Sequence, residues 1–427
     1  MLKPADNERI TRVGAGTPMG NLQRRYWLPG ALSTELPEPD GAPIRVRLLG
    51  EDLVAFRDSD GRVGLVDAYC PHRRAPLYFG RNENCGLRCV YHGWKFDRYG
   101  RCVDMPSEPP DSMFASKVAV KSYPTWEGGG VIWTYMGPPE HQPAVPDYEF
   151  TRAPHTHRYA SKTYEECNWL QALEGGLDTS HSSFAHNNDI QDVSHLRSQD
   201  TAPRLEVYRT DYGYTYAGIR TLGAGSYVRA YHYVMPAQQM RGRVTSRKGT
   251  HVDEHPTING HIWVPIDDNT CWVYNWMYSY DPALPLTEEY AVALETQYGR
   301  GPDDLIPGTF QLKRNLRNDY LVDRRVQKTK TFTGIEGVNT QDMALQEGMG
   351  RIVDRSQEHL GTSDRAIIVM RQLLMEAMND LEAGKPLRGT DSATYSHVRA
   401  VDLVVPPPVS GVLNWREALK DELVAKF

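Results

Sequence analysis

The chain has 427 residues, 40% hydrophobic and 24% charged, with a formal net charge of -6. These values belong to an ordinary globular protein with room for two or three domains, and they exclude disorder and a basic nucleic-acid surface. No run of roughly eighteen apolar residues offers a membrane span, MLKPADNERI has no signal-peptide pattern, and six cysteines suit a reducing, cytoplasmic setting better than a disulfide framework.

In chain order, Gly14-Ala15-Gly16 to Gly20 has the glycine content of a dinucleotide loop. No apolar strand precedes it and no βαβ unit encloses it, so a nicotinamide site is not expected there. Redox chemistry elsewhere in the chain then needs electrons from a separate reductase. From Ile44 the pattern turns to strands: Ile44, Val46 and Leu48 alternate with Arg45 and Arg47, Leu53 to Phe56 follows, and Asp60-Gly61 marks a hairpin turn before Val63 to Tyr69.

That hairpin ends on Cys70-x-His72, with Pro71 stiffening the loop. Sixteen residues later comes Cys89-x2-His92, leading into a strand at Trp94 to Phe96 and a turn at Asp97 to Gly100. One Cys and one His in each loop make the ligand set of a Rieske [2Fe-2S] cluster, where two imidazoles on one iron remove negative charge and raise the potential. A structural zinc ion also accepts two Cys and two His, but its loops usually pair as Cys-x2-4-Cys and His-x3-5-His. Cys85 and Cys102 lack a His at either spacing and read as small buried or half-buried residues. Val131 to Met136 is a strongly apolar strand, and the proline-rich stretches at 106–110 and 138–146 put a boundary near residue 140.

Further on, Glu174, Asp178, His181 and His186 fall within thirteen residues. Asp178 and His181, three apart, share one face of a helix, and a bend or helix end after His181 would bring His186 back to them. Gly175-Gly176 costs an apolar helix roughly 1 kcal/mol per glycine, a local penalty that signals close packing or a functional bend. Two imidazoles and one carboxylate form the facial triad of non-haem Fe(II) oxygenases, which leaves positions open for O2. The third ligand need not be local; Glu336, Asp342, Glu347 and Asp354 are the downstream candidates, and spacing does not choose among them.

The remainder reads as α+β. Leu205 to Tyr208 and Tyr214 to Ile219 flank Tyr212-Gly213, and Ile258 to Ile266 and Cys271 to Met277 flank Asp267 to Thr270, both as hairpins. Thr362 can cap a helix carrying Ile367, Met370, Leu374 and Leu381, ended by Gly384. His155 with His157 and His251 with His255 lack a carboxylate at ligand spacing and read as surface or hydrogen-bonded residues.

Together, Cys70-x-His72, Cys89-x2-His92 and Glu174-x3-Asp178-x2-His181-x4-His186 resemble the oxygenase α subunits of Rieske non-haem iron aromatic hydroxylases, most closely the phthalate dioxygenase branch. Arg25-Tyr26-Trp27-Leu28-Pro29, Asn259-Gly260-His261-Ile262-Trp263 and Gln341-Asp342 extend the resemblance over nearly the whole chain. It implies three regions: an N-terminal segment at 1–42 packing on the catalytic domain, a Rieske domain of two small antiparallel sheets at 43–140, and a catalytic domain at 141–427. In the last, a curved antiparallel sheet wraps a long helix in the START-like helix-grip manner.

The resemblance also implies that His181, His186 and Asp342 hold the mononuclear iron. Asp178 is then no ligand but a link between His92 of one subunit and His181 of the next, orienting both rings and offering an electron route. A homotrimer or a stacked pair of trimers follows, as does a separate NAD(P)H-dependent reductase of flavin and ferredoxin type.

The implied reaction is cis-dihydroxylation of an aromatic carboxylate with O2, in aromatic catabolism. An anionic substrate needs a cation or donors in its cavity, and Arg204, Arg209, Arg220, Arg229, Arg241 and Arg243 lie on the expected sheet. Phthalate-selective relatives use two arginines in this region; the positions matched here are Val207 and Val244, which brings a phenoxybenzoate or chlorobenzoate into competition with phthalate. The same iron centre supports monooxygenation, including O- or N-dealkylation, because the pocket only positions the target carbon. Outside this class stand a Rieske electron carrier without oxygenase activity and a zinc-stabilised binding protein.

Overall fold

The alternating pattern from Ile44 builds an antiparallel sheet in which Ile44–Leu48, Glu51–Arg57, Val63–Asp67 and Ser122–Tyr123 lie in that order. The Asp60-Gly61 turn forms as expected, with Gly61 in the left-handed region and the Asp58 N–H donating to the Arg62 carbonyl. A second four-stranded sheet runs through Arg81–Glu83, Gly86–Arg88, Lys95–Phe96 and Cys102–Asp104. A third sheet accompanies these two: the apolar strand Val131–Tyr135 sits between Trp27–Leu32 and Thr125–Gly128.

The structure, a computed structural model, describes residues 2–242, 256–408 and 411–427, so Arg243, Val244, His251 and His255 lie outside the described residues. The chain divides into two units, one of Val13–Val145 with Pro265–Asp267 and one of Met1–Arg12, Pro146–Val264 and Asp268–Phe427. The segment expected as one piece at 1–42 is thus split after Arg12, because the helix Pro4–Thr11 packs in the large unit: Asn7 Nδ2 donates to the Val353 carbonyl, and Arg355 Nη1 donates back to Asn7 Oδ1. Gly14 to Gly16 forms a turn before the helix Pro18–Gln23, with no strand before it. Among the described residues no helix is long and apolar enough to cross a membrane.

In the large unit eight strands form one antiparallel sheet: β1 Arg158–Glu165, β2 Arg204–Arg209, β3 Gly213–Leu222, β4 Gly225–Val234, β5 Gln238–Gly242, β6 Thr257–Pro265, β7 Cys271–Ser279 and β8 Val401–Val405. Their order is β1-β7-β6-β5-β4-β3-β2, and β8 pairs with the first half of β4 while β5 pairs with its end. Both expected hairpins are present, as β2–β3 and β6–β7.

Three helices position the site: α1 Trp169–Leu177, α2 Val338–Gly348 and α3 Arg365–Glu382. In α3, Met370 and Leu374 are fully buried, and Gly384 follows its end at φ 68°. Thr362 starts a 3-10 turn instead of capping the helix, and the N-cap position falls on Asp364.

Close approach explains the glycine pair. A Cβ on Gly176 would stand 2.1 Å from the Trp263 ring and one on Gly175 2.0 Å from Gln346 Nε2. Ala normally gains about 1 kcal/mol over Gly in a helix, but overpacking costs about 1–3 kcal/mol. Gly176→Ala is expected to lower the urea midpoint; a raised midpoint would show that Trp263 yields freely.

Candidate metal centres and the adjoining cavity

The two Cys-His loops share one backbone frame. In the first, the Cys70 N–H donates to the Ala75 carbonyl and the Arg74 N–H to the Cys70 carbonyl; in the second, Cys89 N–H donates to Trp94 O and Gly93 N–H to Cys89 O. Arg74 and Gly93 occupy the same place in this frame, and both are left-handed, at φ 58° and 79°. Cys70 and Cys89 are buried together beside Trp94, Phe96 and Leu77, and burial, with Cys89 next to it, pushes the Cys70 thiol up to about 11. His72 stacks on Trp94 with ring centroids 4.3 Å apart, and the His72 and His92 rings are 4.5 Å apart. Two buried sulfurs under two adjacent imidazoles fit a cluster with a thiolate iron inside and an imidazole iron outside. Cys85 and Cys102 are both half-buried, and Cys102 packs against the side of this buried set.

In the large unit α1 ends at Leu177, earlier than expected, because Asp178 is extended at φ -69°, ψ 125°. Asp178 and His181 therefore do not share a helix face. They meet through a turn in which Asp178 Oδ1 accepts from the Ser180 N–H at 2.6 Å, and Asp178 Oδ2 lies 3.4 Å from His181 Nδ1. A 3-10 turn at His181–Ser183 then returns His186.

His181 Nε2 and His186 Nε2 are 3.1 Å apart, and Asp342 Oδ1 lies 3.4 Å from the first and 3.2 Å from the second. Adjacent donors on an octahedral ion at about 2.1 Å stand about 3.0 Å apart, so the triangle has the dimensions of a facial site. The hydrogen bonds outside it fix the tautomers: His186 Nδ1 donates to Gln341 Oε1 at 2.8 Å, and His181 Nδ1 faces Asp178. With His181 in its neutral form, each Nε2 turns a lone pair toward Asp342.

The site attracts positive charge. Burial disfavours a charged His181, yet Asp178 and Asp342 outweigh it and lift the imidazole to about 9. Burial also opposes charge on Asp342, but His186 and His181 hold its carboxyl well below the usual range. A divalent ion binds here by displacing the proton.

Of the four downstream candidates, Asp342 is the one that converges on this triangle. Glu336 bonds to Arg314, Glu347 accepts from the Glu166 N–H and Tyr320 hydroxyl, and Asp354 accepts from Ser356 and Gln357. Glu174, read within the same motif, is a buried anchor: Arg355 Nη2 reaches it at 2.8 Å and Arg371 Nε at 2.7 Å.

Two sheet arginines clamp the loop between. Arg220 Nη2 donates to Thr179 O and Ser183 Oγ, and Arg229 Nη1 donates to Thr179 Oγ1 and Ser182 Oγ. Arg204 and Arg209 instead pair on the surface with Glu206 and Glu376. The cleft beside the triangle is lined also by Arg229, Arg241, His261, Trp263 and Met343. Burial holds the His261 imidazole well below its usual range, hence neutral, with Nδ1 and Asn275 Oδ1 2.7 Å apart. Glu165, at the end of β1, also lines the cleft. Its alternation with Thr163 in the strand was the only sequence signal for it.

Residues 26–124 match the Rieske [2Fe-2S] domain and residues 134–423 match the LigXa C-terminal domain-like family. The phthalate 4,5-dioxygenase oxygenase subunit of Pseudomonas putida is 40% identical over 98% of this chain and 94% of its own. The 3-chlorobenzoate-3,4-dioxygenase oxygenase subunit of Comamonas testosteroni is 37% identical over 98% of both chains. Among solved structures, dicamba monooxygenase superposes with a TM-score of 0.62 at 20% identity, over 85% of this chain and 99% of its own, and shares the fold. The chain belongs to the Rieske non-haem iron oxygenases, as an oxygenase subunit of the phthalate dioxygenase branch. It is an aromatic ring-hydroxylating oxidoreductase with a [2Fe-2S] cluster and a mononuclear iron, as the motifs led us to expect.

Glu174 supports one test. Burial disfavours its charge, but Arg355 and Arg371 hold its carboxyl below the ordinary range. Its contribution to stability is therefore complete above the unfolded value of about 4.3 and fades as pH falls. Glu174→Gln, leaving two buried arginines without their anion, is expected to cost about 3–5 kcal/mol at neutral pH. In urea titrations the gap from wild type should narrow on acidification; a gap that widens contradicts the assignment.

Proposed function

We propose that this chain is the terminal oxygenase that converts a carboxylated arene and O2 into a cis-dihydrodiol, with electrons from a separate NAD(P)H-dependent reductase. Cys70, His72, Cys89 and His92 hold the cluster, and His181, His186 and Asp342 hold the iron. When bound, the cluster supplies single electrons and the iron activates O2 beside the substrate. The observation that carries this reading is the convergence of three lone-pair donors at the wall of a cleft that also holds two arginines.

The residues of the cleft divide the work. Gln341 and Asp178 fix the rings of His186 and His181 so that each Nε2 faces inward. Trp263, Val273 and Met343 offer an arene apolar walls. Arg241, whose Nε donates to Asn259 Oδ1, and Arg229, held by Asp402, make the sheet side cationic and so suited to a carboxylate.

The relatives named for phthalate and for 3-chlorobenzoate both point to a carboxylated ring. Val207, half-buried on β2, is not among the residues that line the cleft, so the choice between phthalate and a monocarboxylated arene rests on Arg229 and Arg241. Asp178 keeps a side chain 23% exposed, which suits the family role of accepting from a neighbouring subunit's cluster histidine in a trimer or stacked hexamer. Four cysteines outside the cluster ligands and no disulfide among the six accord with a cytoplasmic setting.

Reconstituted with a phthalate-type reductase, NADH, labelled O2 and a panel of benzoates, phthalates and phenoxybenzoates, the enzyme should give a product with two labelled oxygens by mass spectrometry. One labelled oxygen selects monooxygenation instead. Asp342→Ala should lose one iron of three per chain while keeping the visible cluster spectrum. Asp178→Asn should keep all three irons and lose nearly all turnover; iron content falling in step with activity contradicts a linking role.

A further inference from the structure

Behind the iron cleft lies a pair of carboxyl groups that the reading above does not use. Glu165 ends β1, is 1% exposed and faces the same cleft as His181, His186 and Asp342. Its Oε1 accepts from Cys167 Sγ at 3.4 Å. Glu347, 4% exposed, stands on α2 one turn and a residue beyond Asp342. It accepts from the Glu166 N–H at 2.8 Å and from the Tyr320 hydroxyl.

Glu347 and Tyr320 line a second cavity, together with Glu166, Arg314 and Arg317, and the Met343 side chain borders both cavities. Arg317 is 67% exposed, so this second cavity opens to solvent. The Glu165 carboxyl on the cleft side and the Glu347–Tyr320 pair on the solvent side thus stand on the two faces of the wall that Met343 shares.

We propose that Glu165 is the proton donor to the iron cleft and that Glu347 with Tyr320 resupplies it from the second cavity. The proposal rests on the oxygenase reading, whose reaction requires protons. Arene, O2, two electrons from the reductase and two protons give the cis-dihydrodiol: the O–O bond breaks, two C–O bonds form, and each oxygen ends as a hydroxyl. Each proton leaves a Glu165 carboxyl oxygen for an oxygen atom in the cleft, and the carboxylate left behind takes its replacement from the Glu347 side.

The surroundings of Glu165 keep it neutral between such events. Facing it are Cys167 on its own segment, Cys271 opposite on β7, Glu347 and Asp342 on α2, and across the cleft Arg241 and His261. Burial, with Glu347 nearby, drives its carboxyl well above the ordinary range, and burial raises Glu347 as well. Two buried carboxyls in each other's field do not both ionise, so the pair holds at least one proton.

The test uses the full enzyme and Glu165→Gln, which keeps size and shape, with Glu165→Asp as the conservative partner. Infrared difference spectra between wild type and Glu165→Gln should contain the carbonyl stretch of a protonated carboxyl group, independent of turnover. With iron and cluster content unchanged, Glu165→Gln should make coupled product at least tenfold more slowly at neutral pH and release the reduced oxygen as hydrogen peroxide. Its solvent isotope effect should exceed that of wild type. Glu165→Asp should recover part of the rate, and Glu347→Gln should slow turnover severalfold with a shifted pH profile. A fully metallated Glu165→Gln that keeps wild-type coupling and isotope effect overturns the proposal, as does the absence of the carboxyl band. If wild type forms no oxygenated product, the oxygenase reading fails instead, while the infrared band still decides whether Glu165 holds a proton.

Discussion

Two imidazole nitrogens and a carboxylate oxygen, each presenting a lone pair, are held 3.1 to 3.4 Å apart in a buried place. Only positive charge relieves that crowding, either a proton on His181 or a metal ion. The arrangement survives because each donor is tied from behind: His186 to Gln341, which is itself bonded to Asn188 and Ile335, and His181 to Asp178. The large unit is organised around keeping those three groups together.

Buried charge does most of the holding. Glu174 draws Arg355 and Arg371 onto α1 just before that helix ends, and Arg220 and Arg229 fasten the loop that follows to the sheet. Gly218 on β3 admits the close approach, since a Cβ there would stand 2.7 Å from Thr179 Cγ2. Each of these ions would be costly alone; Glu174, Arg355, Arg371 and Arg229 sit in ion pairs that offset their desolvation, whereas Arg220 bonds through Nη2 and keeps Nε and Nη1 buried without a partner among the described residues. Removing one partner therefore disturbs more than a single contact, because the loop, the helix end and the ligands share the same supports.

Much of this was legible in the residues. Cys70, His72, Cys89 and His92 carry a spacing with few other uses, and the strand alternation and Asp-Gly turns around them are local signals that local sequence determines. His181 and His186 were also apparent, and the glycine pair correctly announced close packing. Spacing did not single out Asp342, because Glu336, Glu347 and Asp354 differ from it only in which neighbour they meet across the fold; the resemblance carried by Gln341-Asp342 did. The anchoring role of Glu174 was hidden for the same reason: its partners lie 181 and 197 residues away. The early end of α1 depends on an Asp178 side chain accepting from the next turn, a choice that helical periodicity does not encode. Glu165 has no motif at all and becomes visible only when two cavities are seen on either side of it.

The matched frames of the two cluster loops differ at one point, where Arg74 takes a left-handed backbone that Gly93 takes without strain. At Gly93 a Cβ would press on Pro106 at 2.7 Å, whereas Arg74 is exposed and Asp67 lies within 3.4 Å of it. The second loop is therefore closed to variation, while the first can change its charge and solvent access with the fold intact. Because the potential of such a cluster follows the charge, hydration and hydrogen bonds around it, the outer rim near residue 74 is where an evolving or engineered lineage can retune the driving force of electron delivery.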